Sequence, residues 1–238
     1  KWNTKQSNLD RTQSRKDRRS SGLRGVREAA RKNRQLKFTA LLHHVDVSLL
    51  RSSFFKLKKT AAVGVDGITW HEYERDLEAR LVDLHGRIHR GAFRAQPSKR
   101  VYIEKADGKQ RPLGIPSLED KIVQHAVRAV LESIYEEDFL GFSYGFRPRR
   151  SQHQALDALY VAITEKRVNW VLDADIQGFF DNIDRDWLVK FIEHRVGDKR
   201  LVRLIQKWLN AGIIEGTEWS DTGRGTPQGA VLSPLLAN

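Results

Sequence analysis

The sequence of this chain predicts an α+β fold, because helical and strand patterns mix without the regular alternation of a doubly wound sheet. Several stretches place apolar residues at helical spacing, and two others read as strands around a hairpin turn. Hydrophobic residues make up 39% of 238 residues, which is enough for a substantial core. No apolar run approaches the ~18 residues of a membrane span, so we expect no membrane partner.

Basic residues are concentrated in the first quarter of the chain. Residues 1–60 hold 17 Lys and Arg against 4 Asp and Glu, whereas the remainder holds 25 against 26. Such positive charge attracts polyanions through phosphate contacts. Residues 1–21 are polar and aperiodic, so a solvated tail is an equal alternative there. For 22–60 we expect basic amphipathic helices that pack on one face and touch nucleic acid with the other. The candidate contacts are Arg24, Arg27, Arg31 and Arg34.

Local signals mark the elements of the first half. Thr69 opens a capping box before one helix that Gly91 stops. Two strands follow, separated by the turn 106–108. Ser117 and Ser151 each cap a further helix. The strands are 100–105 and 109–113.

The second half begins with a short apolar run, 168–176, that predicts a central strand. Asp184 and Asp198 read as caps of two helices, and Gly212 ends the second. A hairpin is expected over 213–221. Ser233 and Pro234 are expected to be the cap and first residue of a last helix.

The sharpest chemical feature is a pair of acids on the predicted strand. Strand alternation places Asp173 and Asp175 on the face opposite Trp170, Leu172 and Ala174. A carboxylate on a central strand is costly unless it is paired or bound to a cation. Oxygen ligands in a chain without Cys indicate Mg²⁺ rather than Zn²⁺. An ion pair or cap is an equal alternative for Asp175 taken alone.

Other features carry weaker signals singly. Asp181 and Asp184 are better explained by structural roles. The loop 225–229 allows close backbone approach to a ligand, although a plain turn is the default. The hairpin bearing Lys105, Lys109 and Arg111 is by default an ordinary solvated hairpin. The segment 143–151 interleaves aromatics with arginines, which favours phosphate and stacking contacts over simple helix-entry packing.

Taken together and in order, these strings resemble the group II intron reverse transcriptases. The resemblance covers roughly residues 60–238, and the basic helices before them are similar to that family's N-terminal extension. The matching strings are Val65-Asp-Gly67, Arg111-Pro-Leu-Gly-Ile-Pro116, Ser143-Tyr-Gly-Phe-Arg-Pro148, Asp175-Ile-Gln-Gly-Phe-Phe-Asp181, Gly225-Thr-Pro-Gln-Gly229 and Ser233-Pro-Leu-Leu-Ala-Asn238.

The resemblance implies a right-hand polymerase with three parts and a two-metal Mg²⁺ site. The implied parts are a basic N-terminal extension over 1–60, fingers over 61–165 and a partial palm over 166–238. The implied metal ligands are Asp175, the catalytic carboxylate, and the backbone oxygen of Ile176. The implied nucleotide-binding residues are Lys105 and Arg111 on the triphosphate, Phe180 as the steric gate under the sugar, and Gln228 in the pocket. Arg147, Arg149 and Arg150 are implied to contact template or primer.

The resemblance also implies the partners and the reaction. Those partners are intron RNA, an RNA template with a DNA primer, and deoxynucleoside triphosphates; the reaction is RNA-directed DNA synthesis, combined with a splicing (maturase) role. An RNA-binding splicing cofactor without polymerase activity and a bacterial reverse transcriptase outside introns remain alternatives. We expect a location inside a bacterium or organelle, and homodimerisation stays open.

One motif of the family is missing from this sequence. No aromatic-Ala-Asp-Asp string, the family's second metal motif, occurs up to Asn238, and Lys1 is not an initiator Met. We therefore expect the chain to be a fragment that stops before that motif and polymerises poorly by itself.

Overall fold

The structure, a computed structural model, describes residues 22–104, 108–166, 168–221, 223–226 and 229–238. The helices are α1 (22–32), α2 (Val47–Lys56), α3 (Trp70–Glu74), α4 (Leu77–His89), α5 (Leu118–Asp138), α6 (Gln152–Glu165), α7 (Phe179–Asn182), α8 (Arg185–Arg195), α9 (Lys199–Leu209) and α10 (Ser233–Leu236), with a 3-10 turn at Leu42–His44. The strands are β1 (Ser98–Glu104), β2 (Gln110–Ile115), β3 (Ile213–Glu215) and β4 (Glu218–Ser220). These elements confirm the α+β class. Within the described ranges, no helix is both long and apolar enough to span a bilayer.

The N-terminal helices pack as amphipathic elements, as expected for 22–60. α1 buries Val26 and Ala30, and α2 buries Leu50 and Phe54. Asp46 caps α2 by accepting a hydrogen bond from the Leu49 N–H. Residues 1–21 lie outside the described residues.

The segment after α1 is tied to the junction between α8 and α9. The Phe38 N–H donates to the Arg195 carbonyl (2.8 Å), and the carboxylate of buried Asp198 accepts the N–H groups of Leu41 and Leu42, both at 2.9 Å. Apolar residues from Val26 to Leu235 accordingly belong to one core cluster. The predicted division at residues 60 and 165 stays a prediction.

The capping box at Thr69 is confirmed, but the helix after it is divided. Thr69 and Glu72 bond reciprocally, and α3 ends at Glu74. Asp76 has φ −118° and ψ 32°, outside the helical region, before α4 begins. The prediction of a single helix was therefore wrong. Asp has a low preference for helix interiors, because its side chain can bond to nearby backbone groups in non-helical conformations.

Both predicted hairpins form, and they join in one sheet. β1 pairs antiparallel with β2, β3 pairs antiparallel with β4, and the strand order is β2-β1-β3-β4. The join is a short parallel pairing of β1 with β3 at Ser98 and Lys99. Of the first turn, 105–107 lie outside the described residues.

Helix α5 is the longest helix of the described residues and is buried along most of its length. Ser117 caps it, as predicted, and Asp120 in its first turn is almost fully buried. Asp120 accepts hydrogen bonds from the Ser117 hydroxyl (2.6 Å), the Gln96 N–H (3.1 Å) and the Trp208 indole N–H (2.8 Å). The carboxylate thus joins the entry to β1, α5 and α9. Burial raises the pKa of Asp120, although these hydrogen bonds oppose the shift.

The predicted caps Asp184, Asp198 and Ser151 are confirmed. The cap of the last helix was wrong: Leu232 occupies that position, and Ser233 is the first helical residue of α10. The Ser233 hydroxyl lies 2.6 Å from the Thr226 hydroxyl in the loop before α10.

The buried strand predicted at 168–176 does not form. Its described residues have no regular secondary structure, and Trp170 and Leu172 are 92% and 90% exposed. A strand needs a hydrogen-bonded neighbour, and no strand of the described residues lies beside this segment. The apolar run therefore remains uncovered.

Candidate nucleotide site

The loop after β4 is wedged between α7 and the β1–β2 hairpin. The Gly225 N–H donates to the Ile183 carbonyl and the Thr226 N–H to the Phe180 carbonyl, both at 2.8 Å. A Cβ on Gly225 would come within 2.6 Å of the Phe180 oxygen, and Gly225 has φ +75°. Only glycine fits such an approach, and what it approaches is the backbone of α7; close approach of the loop to a ligand stays a prediction.

The far end of the same loop contacts β2. A Cβ on Gly229 would come within 2.7 Å of the Gly114 carbonyl, and Gly229 has φ +104°. The Val231 N–H then donates to the side-chain oxygen of Gln124 on α5 (3.0 Å). Backbone contacts therefore fix this loop at both ends. Pro227 and Gln228 lie outside the described residues, so Gln228 as a pocket residue stays a prediction.

An ion pair on the first residue of α8, which the sequence did not suggest, also holds the loop after β4. Arg185, the first residue of α8, pairs with Asp221 at 2.8 Å and donates to the carbonyls of Arg224 and Gly225, both at 3.0 Å. Hydrogen bonding to Arg185 lowers the pKa of Asp221. No sequence signal marks Arg185, because its partners lie about 40 residues away along the chain.

A cavity of about 320 Å³ lies between this loop, α7 and the sheet. Phe180, half-buried on α7, lines it together with Tyr102 and Pro112 on the hairpin. The other lining residues are Arg100, Asp181, Arg185, Leu209, Gly212, Ile213, Ser220, Asp221, Arg224, Gly225 and Thr226. The cavity combines aromatic surfaces with guanidinium groups, a combination suited to a base or sugar attached to phosphate.

The structure does not place Arg111 in this cavity. Arg111 pairs with Ile103, and Pro112 pairs with Tyr102. Since successive strand residues point to opposite faces, Arg111 lies on the other face of the hairpin from the cavity-lining pair. Lys105 lies outside the described residues, so the predicted triphosphate contacts of Lys105 and Arg111 stay predictions.

Asp175 and Ile176 lie on the uncovered segment before α7. Ile176 is 66% exposed, and Gly178 turns the chain into α7 in the left-handed conformation, with φ +61°. In the described ranges, no three His, Asp or Glu side chains come together as a group that could hold a metal. Asp175 is a hard oxygen ligand suited to Mg²⁺, but the described residues do not complete a Mg²⁺ site.

The arginine-rich loop before α6 is partly structural. The Arg147 side chain is 6% exposed, pairs with Glu136 at 3.2 Å and donates to the carbonyls of Leu140 and Ser143. These contacts support a role in holding the loop. Arg149 and Arg150 are exposed, and Arg150 lies over the Tyr144 ring. Contact of all three arginines with template or primer stays a prediction.

The arginines of the N-terminal segment face solvent. Arg24, Arg27, Arg31 and Arg34 are exposed, opposite the buried Val26 and Ala30. Arg24 and Arg27 are engaged with Glu28 (3.8 Å) and Glu137 (2.5 Å), respectively. The arrangement agrees with a basic surface, and the nucleic-acid contacts themselves stay predictions.

Comparison with known proteins identifies several relatives, two of which are named as intron proteins. Protein YkfC of Escherichia coli is 40% identical over 178 residues, which is 74% of this chain and 47% of that protein. The group II intron-encoded protein LtrA of Lactococcus lactis is 47% identical over 149 residues, covering 62% of this chain and 24% of LtrA. Nuclear intron maturase 3 of Arabidopsis thaliana is 31% identical over 127 residues, 53% of this chain and 17% of that protein. The chain thus spans between about a sixth and a half of the length of these relatives.

The sequence model of the reverse transcriptase (RNA-dependent DNA polymerase) family matches residues 103–238. This range includes α7, the loop after β4 and the cavity-lining residues other than Arg100 and Tyr102, and it is more than half of the chain. The chain belongs to the reverse transcriptase family.

Proposed function

We propose that this chain provides the N-terminal extension, fingers and front palm of a group II intron reverse transcriptase that copies RNA into DNA. The convergence of Phe180, the 225–229 loop and the β1–β2 hairpin on one cavity carries the proposal. Family membership and relatives that are named as intron-encoded proteins support it.

The proposed reaction joins the primer 3′-oxygen to the α-phosphate of a deoxynucleoside triphosphate and releases pyrophosphate. Most of the catalysis of phosphoryl transfer is positioning and charge stabilisation. Lys105 and Arg111 would offset triphosphate charge, and Arg111 can also stack on a base. Because Arg111 lies on the face of the hairpin opposite the cavity, its role requires the triphosphate to extend beyond the cavity. Phe180 would exclude a ribose 2′-hydroxyl, and Gln228 would contact the nucleotide.

Mg²⁺ would stabilise charge on the reacting oxygens when bound, with the Asp175 carboxylate and the Ile176 carbonyl as ligands. The described residues do not complete such a site, so no step is derived through the metal. We expect residues 1–238 alone to polymerise poorly for that reason. Robust primer extension by this polypeptide would contradict the expectation.

Asp175→Asn in the full-length enzyme tests the assignment, with Asp173→Asn as the matched control on the same segment. We expect Asp175→Asn to lower primer extension by at least about 10³-fold while RNA binding persists, because an amide replaces a charged metal ligand. The control should retain most activity. Unchanged extension by Asp175→Asn would remove the catalytic assignment.

A maturase role in intron RNA binding is a second proposal, carried by the basic N-terminal surface. Because 22–60 contributes to the core, substitution is a better test than deletion. Arg24, Arg31 and Arg34 changed together to Gln should reduce the salt-dependence slope of RNA binding by about 2. The control changes Arg75, Arg90 and Arg203, exposed arginines outside the N-terminal segment. Equal slopes in both triple variants would exclude the N-terminal surface as the RNA-binding face.

A bacterial reverse transcriptase outside introns fits the cavity equally well, and a splicing assay with a cognate intron RNA separates the two. Location inside a bacterium or organelle and homodimerisation remain predictions.

A further inference from the structure

Strained backbone is confined to one loop of the described residues. In those residues, Phe146 and Arg149, both in the loop between α5 and α6, are the two positions other than glycine with positive φ, at +54° and +60°. In this left-handed region the Cβ of an L-residue crowds the following carbonyl oxygen. Bulky residues rarely adopt it, and such strain persists where the surrounding structure imposes it, most commonly at functional sites.

Contacts to the backbone impose the conformation of this loop. The Arg128 guanidinium donates to the Phe146 carbonyl (3.3 Å), and the Asn238 side-chain amide donates to the Gly145 carbonyl (3.3 Å). The adjacent Arg147 is buried and donates to two further carbonyls of the loop, at 2.8 and 2.9 Å. The strained φ of Phe146 is therefore fixed by contacts to the backbone around it rather than by burial of its ring.

The ring of Phe146 gains little packing in this position. The residue is 73% exposed, and an apolar side chain stabilises a fold only through the area that it removes from water. Glycine at position 146 would adopt the same φ without strain. An exposed ring on a strained backbone is therefore better explained by contact with another molecule than by packing within this chain.

The charges around the loop favour a polyanionic partner. Residues 139–151 contain three arginines and no Asp or Glu. Each of the four carboxylates over 132–138, at the end of α5, forms an ion pair with an arginine. The pairs are Glu132–Arg128, Glu136–Arg147, Glu137–Arg27 and Asp138–Arg195. Arg149 and Arg150 are exposed and form no ion pair with a described residue, so their positive charge is in excess.

An exposed aromatic ring beside unpaired cations matches the chemistry of single-stranded nucleic acid. Such a ring stacks on a base, whereas the cations contact the phosphates of the same strand. A duplex keeps its bases paired and stacked on each other, so it offers no base face to the ring. An unpaired strand is therefore the occupant that uses both the ring and the charge.

We propose that Phe146 stacks on an unpaired base of an RNA strand and that Arg149 contacts a backbone phosphate of that strand. The proposal deepens the proposed function and rests on it, since a reverse transcriptase handles a single-stranded RNA template. Arg147 is not part of this contact, because its side chain is only 6% exposed and is used in holding the loop.

The test measures binding of a short, unstructured fluorescent RNA to the 238-residue chain by anisotropy, together with thermal unfolding of each variant. Phe146→Gly should weaken RNA binding at least about fivefold, because a stacked base is lost. The same variant should keep or raise the melting temperature, because glycine relieves the strain. Phe191→Ala, which removes an exposed ring on α8, is the control and should bind RNA like wild type. A lower melting temperature with unchanged binding would assign the Phe146 ring to the fold and overturn the proposal.

Arg149→Gly separates the charge from the stacking. Glycine relieves strain at this position as well, so the two glycine variants are matched in their effect on the backbone. Loss of one phosphate contact should reduce the slope of log affinity against log salt by about 0.7, whereas Phe146→Gly should leave the slope unchanged. An equal change of slope in the two variants, or no change in either, would overturn the assigned roles.

An oligomer of the same length without bases tests whether the ring contacts a base. It should bind wild type and Phe146→Gly with equal affinity, because it presents phosphates alone. If Phe146→Gly weakens binding of this oligomer as much as binding of RNA, the stacking proposal is overturned. The polymerase proposal then still stands, because Asp175→Asn in primer extension tests it independently.

Discussion

Helices α5 and α6 begin in the same way and end in very different surroundings. Ser117 and Ser151 cap them by accepting from the N–H three residues on. α5 then buries residues along its whole length, whereas no residue of α6 is buried, and Leu156 and Tyr160 are 60% and 69% exposed. Local signals are sufficient to define a helix. Burial depends on whether another element covers the apolar face, and of these two helices α5 is covered and α6 is not within the described residues.

The largest expected effect comes from truncating an apolar side chain in each helix. Leu131→Ala in α5 removes a fully buried side chain and should cost about 2–5 kcal/mol of unfolding free energy. Leu159→Ala in α6, where Leu159 is 44% exposed, should change it by less than about 0.5 kcal/mol. Urea unfolding of both variants measures the difference. Equal losses would show that α6 is packed as firmly as α5.

Two buried carboxyl groups, Asp198 and Asp120, show that burial alone does not decide the direction of a pKa shift. Burial works to raise the pKa of Asp198, but the N–H groups of Leu42, Leu41 and Arg200 outweigh it, so the pKa is lowered. The charged form of Asp198 therefore stabilises the fold above the ordinary carboxyl pKa, and this stability is lost as pH falls through the lowered value. Burial raises the pKa of Asp120 instead, so its contribution to stability is larger at low pH and is lost as pH rises through the raised value.

Asparagine substitution should consequently give losses with opposite pH dependence. Each amide leaves a buried N–H donor without an acceptor, so Asp198→Asn and Asp120→Asn should each lower the unfolding free energy by about 1–3 kcal/mol at neutral pH. As pH falls below about 4, the loss should shrink for Asp198→Asn and grow for Asp120→Asn, because the two wild-type carboxyl groups have pKa shifts of opposite direction. Thermal unfolding at several pH values measures both losses, and a parallel pH dependence of the two would contradict the assignment.

The smallest expected effect is that of removing the α6 cap. Ser151→Ala removes one capping hydrogen bond, worth about 1 kcal/mol to its helix. Because α6 contributes little to the core, amide exchange should accelerate in its first turn while global stability changes by less than about 0.5 kcal/mol. Hydrogen exchange measured by mass spectrometry checks this. If global stability instead fell by the full ~1 kcal/mol of the cap, α6 would unfold together with the core.

The sequence predicted those features that depend on neighbouring residues. The caps at Thr69, Ser117, Asp184 and Asp198 each need one side chain and an N–H two or three residues away. The hairpins likewise depend on alternation around a turn. The cap at Ser233 was mispredicted because its hydroxyl is used by Thr226 in the adjacent loop.

The sequence indicated which residue types belong to the candidate site, but not which residues they contact. The glycines of the 225–229 loop indicated close approach, but not that Phe180 and Gly114 are what they approach. The ion pair of Arg185 with Asp221 and the contact of Asn238 with Ser143 join distant positions, about which local patterns carry no information. Burial of 168–176 was mispredicted because an apolar strand pattern does not reveal whether a neighbouring strand is present.

The central claim is that the cavity lined by Phe180 is the sugar-binding part of a deoxynucleotide site. Its most direct test is the ratio of deoxynucleotide to ribonucleotide incorporation by Phe180→Ala in the full-length enzyme. Removing the ring should lower this ratio by about tenfold or more, because space for a 2′-hydroxyl is created while deoxynucleotide use continues. A ratio equal to that of the wild type, in a variant that still extends primers, would contradict the claim.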